Sequence, residues 1–557
     1  MIVSALVKRY EETQDVPIGW QKREVSYALD LSKDGKLLDI IQLGDHSGKK
    51  RGRLPLTLPS IGSGRQGKKA YEIAYFLCDD GCYMLGLDSK KFESARKLHI
   101  SLLKDIDTPA ANAIRAYFAS SIPVHPPGND EKIDATAKYI FSINGKRVDY
   151  DDGGVEIRSL WEASQINDGE QICCLVSGKR DTIIKLHDKV ALRGVTMGAQ
   201  PLISMNDQTS FRSYGEKPSD PPVRMGQYAA FAYATALNAL LKDKRHHKFI
   251  GGDTLAYWAE KGGAAEEELF ANLLAPPKVD EDKNLADAIA KIVRGDKVFD
   301  YKPERKFYLL CLSPNAARIS VRFFYESAFG DLISNISAHY KRLEITGDGR
   351  TPFDFLPLWL ILSETTVKES AGDASPLLGG QILRSILTNA EYPLTLYNAM
   401  LTRIRAGRPI NKTKAAVFKA ALIKNFNEKE VATVALNEQS EKKPYVLGRL
   451  FSVLERLQER ANGSATIRER YFTSACANPG SVFPTLLNLS MHHAAKLDSA
   501  VFYEKLKGEL LTRLDDETPF PATFSLDDQG RFILGYYHQT QWFFTKKKTG
   551  EDSSNEQ

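Results

Sequence analysis

The chain has 557 residues, of which 43% are hydrophobic and 26% charged, and its formal net charge is +5. This composition is typical of a globular protein and excludes a disordered or fibrous chain, while the length predicts three or four folding units. Six cysteines, two of them adjacent as Cys173 and Cys174, do not make the spaced framework of a secreted disulfide scaffold, so we expect a cytoplasmic protein. The longest apolar run, residues 228–241, is shorter than the roughly 20 residues of a membrane helix, and we expect no membrane partner.

The first 200 residues carry the pattern of short strands and turns. The runs on either side of residues 33–35 (Lys-Asp-Gly) predict a β-hairpin, and those around residues 80–81 (Asp-Gly) predict a second one. Leucines at helical spacing predict a helical segment over residues 92–120. The apolar runs at 139–143 and 171–176 predict a second, small β-rich unit.

The pattern becomes mostly helical from residue 225 onward. A broad apolar stripe over residues 225–241 predicts a buried helix. Residues 307–325 predict a strand, a turn and a second strand. Leucines recur on one face of residues 445–462 and again of residues 501–514. These two segments predict a C-terminal helical bundle with a core of its own, and we expect the region from roughly 400 or 430 to 557 to fold independently.

The predicted fold class is α+β. A β-rich mixed N-terminal region is followed by a mostly helical region and a C-terminal helical bundle. We divide the chain into an N-terminal α/β domain with a basic loop (1–130), a small β-rich unit (131–224), a mixed, mainly helical unit (225–400) and the bundle (401–557).

Charge is distributed unevenly, and two stretches are strongly basic. Residues 46–69 contain no acidic residue, and their basic residues are Lys49, Lys50, Arg51, Arg53, Arg65, Lys68 and Lys69. Residues 400–430 contain two acidic residues against Arg403, Arg405, Arg408, Lys412, Lys414, Lys419, Lys424 and Lys429. Such stretches favour polyanionic partners, although each is also compatible with a solvated face that binds nothing.

The glycine-rich run Gly62-Ser-Gly-Arg-Gln-Gly67 resembles nucleotide-binding motifs but lacks their context. A P-loop needs Ser or Thr after its lysine, and here Lys69 follows Lys68. The P-loop and the dinucleotide-binding motif G-x-G-x-x-G both need a helix to begin after the glycines, whereas residues 70–77 predict a strand. The glycines instead predict a loop whose backbone approaches a groove or a phosphate backbone closely.

Other short motifs do not complete a catalytic site. His187-Asp188 lacks the further metal ligands of a phosphohydrolase, and in Gly251-Gly-Asp253 Thr254 stands where a polymerase needs a second acid. Adjacent histidines at 246–247 point about 100° apart on a helix, so they cannot chelate one ion together. We expect no catalytic residue, no metal site and no cofactor.

Longer strings carry more information about relationships. They include Gly198-Ala-Gln200, Phe211-Arg-Ser-Tyr-Gly215, Leu312-Ser-Pro-Asn-Ala-Ala-Arg-Ile-Ser-Val-Arg322, Tyr445-Val-Leu-Gly-Arg-Leu-Phe451 and Gly535-Tyr-Tyr-His-Gln539. In these strings the chain resembles the large subunit of the type I-C CRISPR surveillance complex, Cascade. The resemblance runs from Leu6 to the last aromatic cluster.

The resemblance implies a non-catalytic subunit of an RNA-guided antiviral complex. Such a subunit is expected to recognise the PAM in double-stranded target DNA, to stabilise the R-loop and the displaced single strand, and to recruit a helicase-nuclease. The implied partners are the CRISPR RNA-containing backbone and RNA-processing subunits, separate small subunits that its C-terminal part resembles, and the helicase-nuclease. Two alternatives stay open: a metal-dependent nuclease or nucleotide hydrolase, and a free-standing nucleic-acid-binding protein.

The resemblance also indicates which residues contact DNA. Residues 76–80 match a family pattern, with Asp80 in place of its usual asparagine. We expect Gln66 to contact base edges and its basic neighbours to hold phosphates. The predicted PAM-binding set is Lys49, Lys50, Arg51, Arg53, Gly62, Gly64, Arg65, Gln66, Lys68, Lys69 and Tyr75. The predicted set for the non-target strand is Arg403, Arg405, Arg408, Lys412, Lys414 and Lys419. For Asn206, Arg318 and Arg322, internal salt bridges and turns or a nucleic-acid groove remain alternatives.

Overall fold

A computed structural model describes residues 1–13, 16–44, 52–61, 65, 70–119, 130–149, 154–165, 169–204, 223–278, 280–296, 301–347, 349–464, 466–514 and 517–548. The chain divides into two compact units. The first unit comprises Met1–Lys242 with Ala316–Ile319, and the second comprises Asp243–Asn315 with Ser320–Gln557. Strands and helices are mixed in the first unit and helices dominate the second, so the α+β prediction is confirmed. Across the described ranges, no helix is long and apolar enough to cross a membrane.

The first unit contains short strands and six named helices within its described residues. Its helices are α1 (Ile2–Thr13), α2 (Gly81–Met84), α3 (Ser89–Leu103), α4 (Pro109–Ala119), α5 (Val155–Ser164) and α6 (Gln227–Lys242). Its strands are β1 (Trp20–Val25), β2 (Tyr27–Leu31), β3 (Leu37–Gln42), β4 (Leu54–Pro59), β5 (Cys78–Asp80), β6 (Lys138–Ile143), β7 (Lys146–Arg147), β8 (Gln171–Cys173), β9 (Arg180–Thr182), β10 (Lys189–Val190) and β11 (Gln200–Pro201).

The main sheet of the first unit has the order β3-β2-β6-β5, with β7 paired to β6. β2 and β3 form the first predicted hairpin, and Gly35 in its turn has φ +77°. A Cβ on Gly35 would lie 2.6 Å from the Ala113 carbonyl oxygen of α4, so glycine is needed there both for its backbone angle and for space. β2 and β6 are parallel, and one sheet therefore spans the predicted boundary at residue 130.

The second predicted hairpin is wrong, because the chain turns into a helix after β5. The Asp80 side chain accepts a hydrogen bond from the Cys82 backbone N–H at 3.2 Å, and it caps α2. The strand predicted over residues 70–77 is also wrong, since this segment begins with a 3-10 helix at Ala70–Glu72. The helical prediction over 92–120 is confirmed as two helices, α3 and α4.

A two-stranded ribbon separates from this sheet and bears the ends of the basic stretch. β1 and β4 pair antiparallel, from Trp20 opposite Pro59 to Val25 opposite Leu54. In the sequence, the basic residues of positions 46–69 precede and follow β4. Elsewhere in the unit α6 packs on α1, where the Tyr10 ring meets Phe231 edge-on at 5.8 Å.

The second unit combines one antiparallel sheet with many helices. Its strands are β12 (His247–Ile250), β13 (Asp253–Ala259), β14 (Lys306–Asn315) and β15 (Arg318–Ala328), hydrogen-bonded in that order. Its helices are α7 (Ala264–Leu274), α8 (Lys283–Arg294), α9 (Phe329–Leu343), α10 (Leu358–Ser363), α11 (Pro376–Thr388), α12 (Leu394–Arg405), α13 (Lys412–Asn425), α14 (Lys443–Asn462), α15 (Ile467–Ala477), α16 (Pro479–Ala494), α17 (Val501–Leu511) and α18 (Leu526–Lys548).

The C-terminal helices do not have a separate core. A single hydrophobic cluster runs from Ile250 through Met400 to Phe543, so the predicted boundary at 400 lies inside it. α14 packs closely on α18, since Gly448 contacts the Phe532 backbone and Gly535 contacts the Tyr445 backbone without any intervening side chain. α18 also packs on α13, which lies before residue 430.

Candidate nucleic-acid interface

Much of the predicted PAM-binding set lies outside the described residues. This applies to Lys49, Lys50, Arg51, Gly62, Gly64, Gln66, Lys68 and Lys69, and also to Asn206. Three predicted residues are described: Arg53, Arg65 and Tyr75. The structure brings Arg65 and Tyr75 into contact with each other.

The Arg65 guanidinium group lies against the end of the main sheet. Its Nε donates a hydrogen bond to the Ile73 carbonyl oxygen at 2.6 Å. Nη2 forms an ion pair with the Asp79 carboxylate, and Nη1 lies 3.4 Å from Oδ2 of Asp80. Only 17% of the Arg65 side chain is exposed. The middle of the glycine-rich run is therefore held to β5 by a buried ion pair and hydrogen bonds.

Two tyrosine rings enclose the same guanidinium group. Its carbon lies 4.0 Å from the ring centre of Tyr75 and 3.6 Å from that of Tyr83, both within the range of a cation–π interaction. The guanidinium carbon of Arg23 in β1 lies 5.4 Å from the ring centre of Tyr75, and Arg23 donates a hydrogen bond to the Cys78 carbonyl oxygen at 2.9 Å. The ribbon, the sheet and the glycine-rich run thus meet at one cluster.

Asp79 controls the electrostatics of this cluster. It is fully buried, and burial raises the pKa of its carboxyl group, although the Arg65 ion pair and backbone N–H groups oppose that rise. The Tyr75 backbone N–H donates to this carboxylate at 2.9 Å. Asp80 also has Lys138 at 3.6 Å. The positive charge of Arg65 is therefore balanced within the fold, and in this conformation its donors are directed to protein acceptors.

Arg53 lies in a different environment. It is exposed just before β4, and it forms an ion pair with Glu24 at 3.4 Å, across the ribbon from it. Such an exposed ion pair contributes about 0–1 kcal/mol and exchanges readily with another anion. Arg53 is thus accessible to a phosphate in a way that Arg65 is not.

The sequence pattern does not indicate that Arg23, Asp79 and Tyr83 belong to this site. Tyr83 was assigned to a strand of the second hairpin, whereas it lies in α2 with its hydroxyl donating to the Tyr71 carbonyl oxygen at 3.1 Å. The pattern that could have indicated this ion pair is the adjacent acidic pair Asp79-Asp80, which follows the acid-free basic run and lies next to the apolar residues 76–78. A carboxylate that is buried there needs a cation as its partner.

The basic stretch at 400–430 is only partly accessible, because α13 is enclosed by α9, α10, α12 and α18. Lys412, Lys414 and Lys419 are all buried, and they do not form the solvent-facing surface that the charge pattern predicted. Lys412 Nζ donates to the Phe353 carbonyl oxygen at 2.7 Å, and Lys414 forms an ion pair with Glu364. Lys419 Nζ donates to the Arg342 carbonyl oxygen at 3.0 Å, and burial lowers its pKa to about 8.

The three arginines of this stretch are closer to solvent. Arg405 is exposed and donates to Oε1 of Gln529 at 2.8 Å. Arg408 is half-buried and pairs with Glu369 at 2.9 Å. Arg403 is half-buried and lines a shallow pocket beside Thr402.

The motifs set aside in the sequence have structural roles in the described fold. His187 is buried and shares a 2.9 Å hydrogen bond with the Tyr233 hydroxyl, and burial lowers its pKa to about 4. Asp253 is fully buried 3.5 Å from Nε of Arg322, whose Nη2 donates to Ser313 at 2.9 Å. Arg322 therefore has the internal acidic partner that was one of its two alternatives. No group of potential metal ligands occurs among the described residues.

Comparison with known proteins agrees with the residue strings. A search of curated proteins finds no match. A family model described as CRISPR-associated protein (Cas_Csd1) matches residues 6–544, nearly the whole chain. The match covers both compact units and every element that forms the Arg65 cluster. The chain therefore belongs to the Cas_Csd1 family, the large subunits of type I-C CRISPR Cascade complexes.

Proposed function

We propose that this subunit recognises the PAM of double-stranded target DNA with the ribbon β1–β4, the Gly62–Lys69 loop and the Arg65 cluster. The observation that carries the proposal is the enclosure of Arg65 between Tyr75 and Tyr83 above the buried Asp79. An acid-free loop held at one internal residue presents its remaining donors with less loss of conformational entropy than an unattached loop.

Within this site the residues have different roles. Arg65 is a positioning residue, because its guanidinium group already contacts Asp79 and Asp80. Gln66 contacts base edges, where an amide can both donate and accept hydrogen bonds. Lys68, Lys69 and the exposed Arg53 hold phosphates.

The second unit stabilises the R-loop through the displaced strand. Arg403, Arg405 and Arg408 are the residues of the 400–430 stretch that support this role, since they are nearer to solvent than the three buried lysines. Recruitment of the helicase-nuclease completes the proposed function, and the subunit itself carries out no chemistry. The buried His187–Tyr233 hydrogen bond supports a structural role for the His-Asp motif.

The test is target binding by the assembled complex, measured against a library of PAM sequences at several salt concentrations. Gln66→Ala is expected to relax PAM preference with a small change in overall affinity. Lys68→Ala is expected to weaken binding to all sequences and to lower the salt slope by about one unit. Arg65→Ala is expected to lose both affinity and preference, because the loop is released from the sheet.

Arg96→Ala is the matched control, because Arg96 is a half-buried arginine of α3 in the same unit and pairs with its helix neighbour Glu93 at 3.3 Å. It should leave PAM preference and salt slope unchanged. Unaltered PAM preference in Gln66→Ala, Lys68→Ala and Arg65→Ala would contradict the proposed site. Metal-dependent DNA cleavage by the purified chain that is lost in His187→Ala would contradict the non-catalytic role.

A further inference from the structure

The first unit contains a cavity that its own packing leaves unfilled. The volume of this cavity is about 440 Å³, within the roughly 300–1,000 Å³ typical of ligand sites. It is lined by one side of α6, by β1, by the start of β10 and by the residues that directly follow β4. All of these elements belong to the first unit.

Much of the cavity wall is apolar. α6 contributes Phe231, Ala234 and Ala239 to the lining, and β1 contributes the buried Trp20. The Phe231 ring is fixed by Tyr10, which meets it edge-on with ring centres 5.8 Å apart. The two alanines have short side chains, so they leave room beside the Phe231 ring. A flat apolar ring is the kind of group that such a wall accommodates.

One carboxylate lines the same cavity. Asp188 is half-buried, and burial raises the pKa of its carboxyl group. No charged neighbour among the described residues opposes that rise, whereas the Asp79 carboxylate has the Arg65 cation beside it. A partly desolvated carboxylate without a cation destabilises a fold. Asp188 is therefore better explained by a ligand than by the stability of the protein.

The backbone on both sides of Asp188 is held against α6. The preceding His187 shares a 2.9 Å hydrogen bond with the Tyr233 hydroxyl of that helix. After Asp188, the Lys189 carbonyl oxygen accepts a hydrogen bond from Nδ2 of Asn238 at 2.9 Å. The carboxylate thus lies at a fixed place in the lining before any ligand binds, which lowers the entropic cost of binding.

Lysine side chains make the rest of the lining positive. Lys22, Lys189 and Lys242 line the cavity, and Lys189 and Lys242 are exposed. None of the three affects the pKa of Asp188, which places their amines away from its carboxylate, because a Coulombic interaction weakens with distance. A ligand that fits this lining has hydrogen-bond donors at one end, a flat middle and negative charge at the other end.

We propose that this cavity binds the guanine base of a nucleotide, with N1–H and the N2 amino group donating to Asp188 and with the phosphate held by Lys189 and Lys242. The base comes either from a free mononucleotide or from an unpaired position of a strand, since both present the same groups. The cavity would take this base whether or not the Gly62–Lys69 loop contacts the PAM.

The arrangement of donors distinguishes guanine from other ligands. Its Watson–Crick edge carries two adjacent N–H donors, which match the two oxygens of a carboxylate. Adenine and cytosine place a ring nitrogen acceptor beside the amino group, so its lone pair would oppose the Asp188 carboxylate. An arginine of a partner protein offers two donors but would bring positive charge to the lysines. An apolar peptide would leave Asp188 desolvated without a hydrogen-bond donor.

The first experiment is calorimetric titration of the full-length chain with GMP, IMP and AMP. GMP is expected to bind at least tenfold more tightly than IMP, which lacks the N2 amino group, and more tightly still than AMP. Lys242→Ala should weaken GMP binding about tenfold and leave guanosine binding unchanged, because guanosine has no phosphate. Equal affinities for GMP and AMP would overturn the inference.

Asp188→Asn separates a ligand contact from a structural role. This variant should lose at least tenfold in GMP affinity together with the preference for GMP over AMP. Its thermal midpoint without nucleotide should equal or exceed that of the unaltered chain, because a partly desolvated charge has been removed. Unchanged GMP binding in the folded variant would contradict the proposal, whatever its midpoint.

Two further variants test the place of binding. Ala239→Leu should abolish GMP binding, because residue 239 is exposed and its longer side chain would fill the cavity without disturbing the core. Glu156→Gln is the matched control for Asp188→Asn, since Glu156 is an exposed acid of α5 outside the cavity lining. It should bind GMP as the unaltered chain does. GMP binding that survives in Ala239→Leu would place the nucleotide elsewhere and overturn the proposal.

A second experiment identifies the source of the base. The probes are a ten-nucleotide thymidine oligomer and the same oligomer with one central deoxyguanosine. Tighter binding of the deoxyguanosine oligomer than of GMP, lost in Asp188→Asn, would identify a strand as the source. Tighter binding of GMP would identify a free nucleotide. If neither GMP nor the deoxyguanosine oligomer binds in a way that depends on Asp188, the proposal is wrong.

Discussion

The guanidinium group of Arg65 forms an ion pair with Asp79, a carboxylate with no solvent exposure in the middle of β5. Arg65 lies within the glycine-rich run 62–67, and Asp79 lies 14 residues after it in the chain. Their contact changes how the basic stretch is interpreted, because one of its positive charges is balanced within the fold.

Removing Arg65 should destabilise this region and make it sensitive to pH. Arg65→Ala leaves the buried Asp79 without its cation. We expect a loss below the roughly 3–5 kcal/mol of a fully buried pair, because 17% of the Arg65 side chain is exposed. The pKa of Asp79, already raised by burial, should rise further. Because the folded state then keeps a proton that the unfolded state releases above pH of about 4, stability should fall as pH rises.

Hydrogen exchange of residues 70–85 at pH 5 and pH 7 measures this effect. Arg65→Ala should exchange faster at pH 7 than at pH 5 after correction for the intrinsic rate. In Arg65→Ala/Asp79→Asn the extra pH dependence should disappear, since the titrating carboxyl is gone. The same pH dependence in both variants would show that another group is responsible.

Substitution of either of two glycines at the crossing of α14 and α18 should lower the stability of the fold. A Cβ on Gly448 would overlap the Phe532 carbonyl, and one on Gly535 would overlap the Tyr445 carbonyl. Backbone atoms cannot move aside as a flexible side chain can, so Gly448→Ala and Gly535→Ala should each cost about 3 kcal/mol or more. Thermal melts of the full chain should show a clearly lowered midpoint for both variants.

Gly508 of α17 is the control for this pair. Nothing lies within 4 Å of a Cβ at this position, and alanine is the better helix former by about 0.5–1 kcal/mol. Gly508→Ala should therefore melt at or above the midpoint of the unaltered chain. A similar loss in all three variants would point to a general effect of removing helical glycines.

The sequence predicted helices and strands correctly where the pattern that indicates them lies in neighbouring residues. The Asp-Gly turn before β3 was correct because Gly35 has the positive φ that the turn requires. The same dipeptide at 80–81 led to a wrong prediction of a hairpin, since the Asp80 carboxylate caps α2. The sequence alone does not reveal whether an Asp-Gly pair forms a hairpin turn or begins a helix. Periodicity likewise identified α6 and α14, whose apolar stripes are long.

The candidate site was predicted less completely, because burial of charge depends on tertiary packing. A helix with Lys412, Lys414 and Lys419 suggests a basic surface. However, α13 is surrounded by other helices, and neighbouring segments of the fold supply an acceptor for each of the three amines.

Lys419 should give the chain a measurable stability gain at alkaline pH. Burial lowers its pKa to about 8, and the Glu344 carboxylate opposes this shift. The unfolded lysine titrates near 10.4. Between about pH 8 and 10 the unfolded state therefore binds more protons than the folded state, so this residue's contribution to stability rises with pH and is lost as pH falls toward 8.

Urea unfolding of the unaltered chain and of Lys419→Met at pH 7, 8, 9 and 10 checks this sign. The stability of the unaltered chain minus that of the variant should increase from pH 8 to pH 10. Lys424→Met, from the half-buried side of the same helix, controls for the loss of one lysine. A difference that stays constant or decreases over this range would contradict the buried position of the amine.

The fragment 430–557 should be helical but should not melt cooperatively, contrary to the expectation from its leucine pattern. α18 is buried on several sides, and one of its neighbours is α13, which the fragment lacks. The Tyr397 hydroxyl donates to the Leu526 carbonyl oxygen at 2.8 Å, and Tyr397 in turn packs edge-on against Phe418 at 4.7 Å. Cutting at 430 removes both rings and exposes apolar surface on α18.

Far-ultraviolet circular dichroism with a thermal melt, together with binding of an apolar dye, tests this outcome. A sloping melt with strong dye binding is expected for 430–557, as for a state that keeps helices without fixed packing. The full-length chain should melt in a distinct transition and bind little dye. A cooperative melt of the fragment would mean that the exposed face of α18 is covered in another way. Sedimentation would then decide between repacking within one chain and pairing of two copies, because only pairing makes the midpoint depend on concentration.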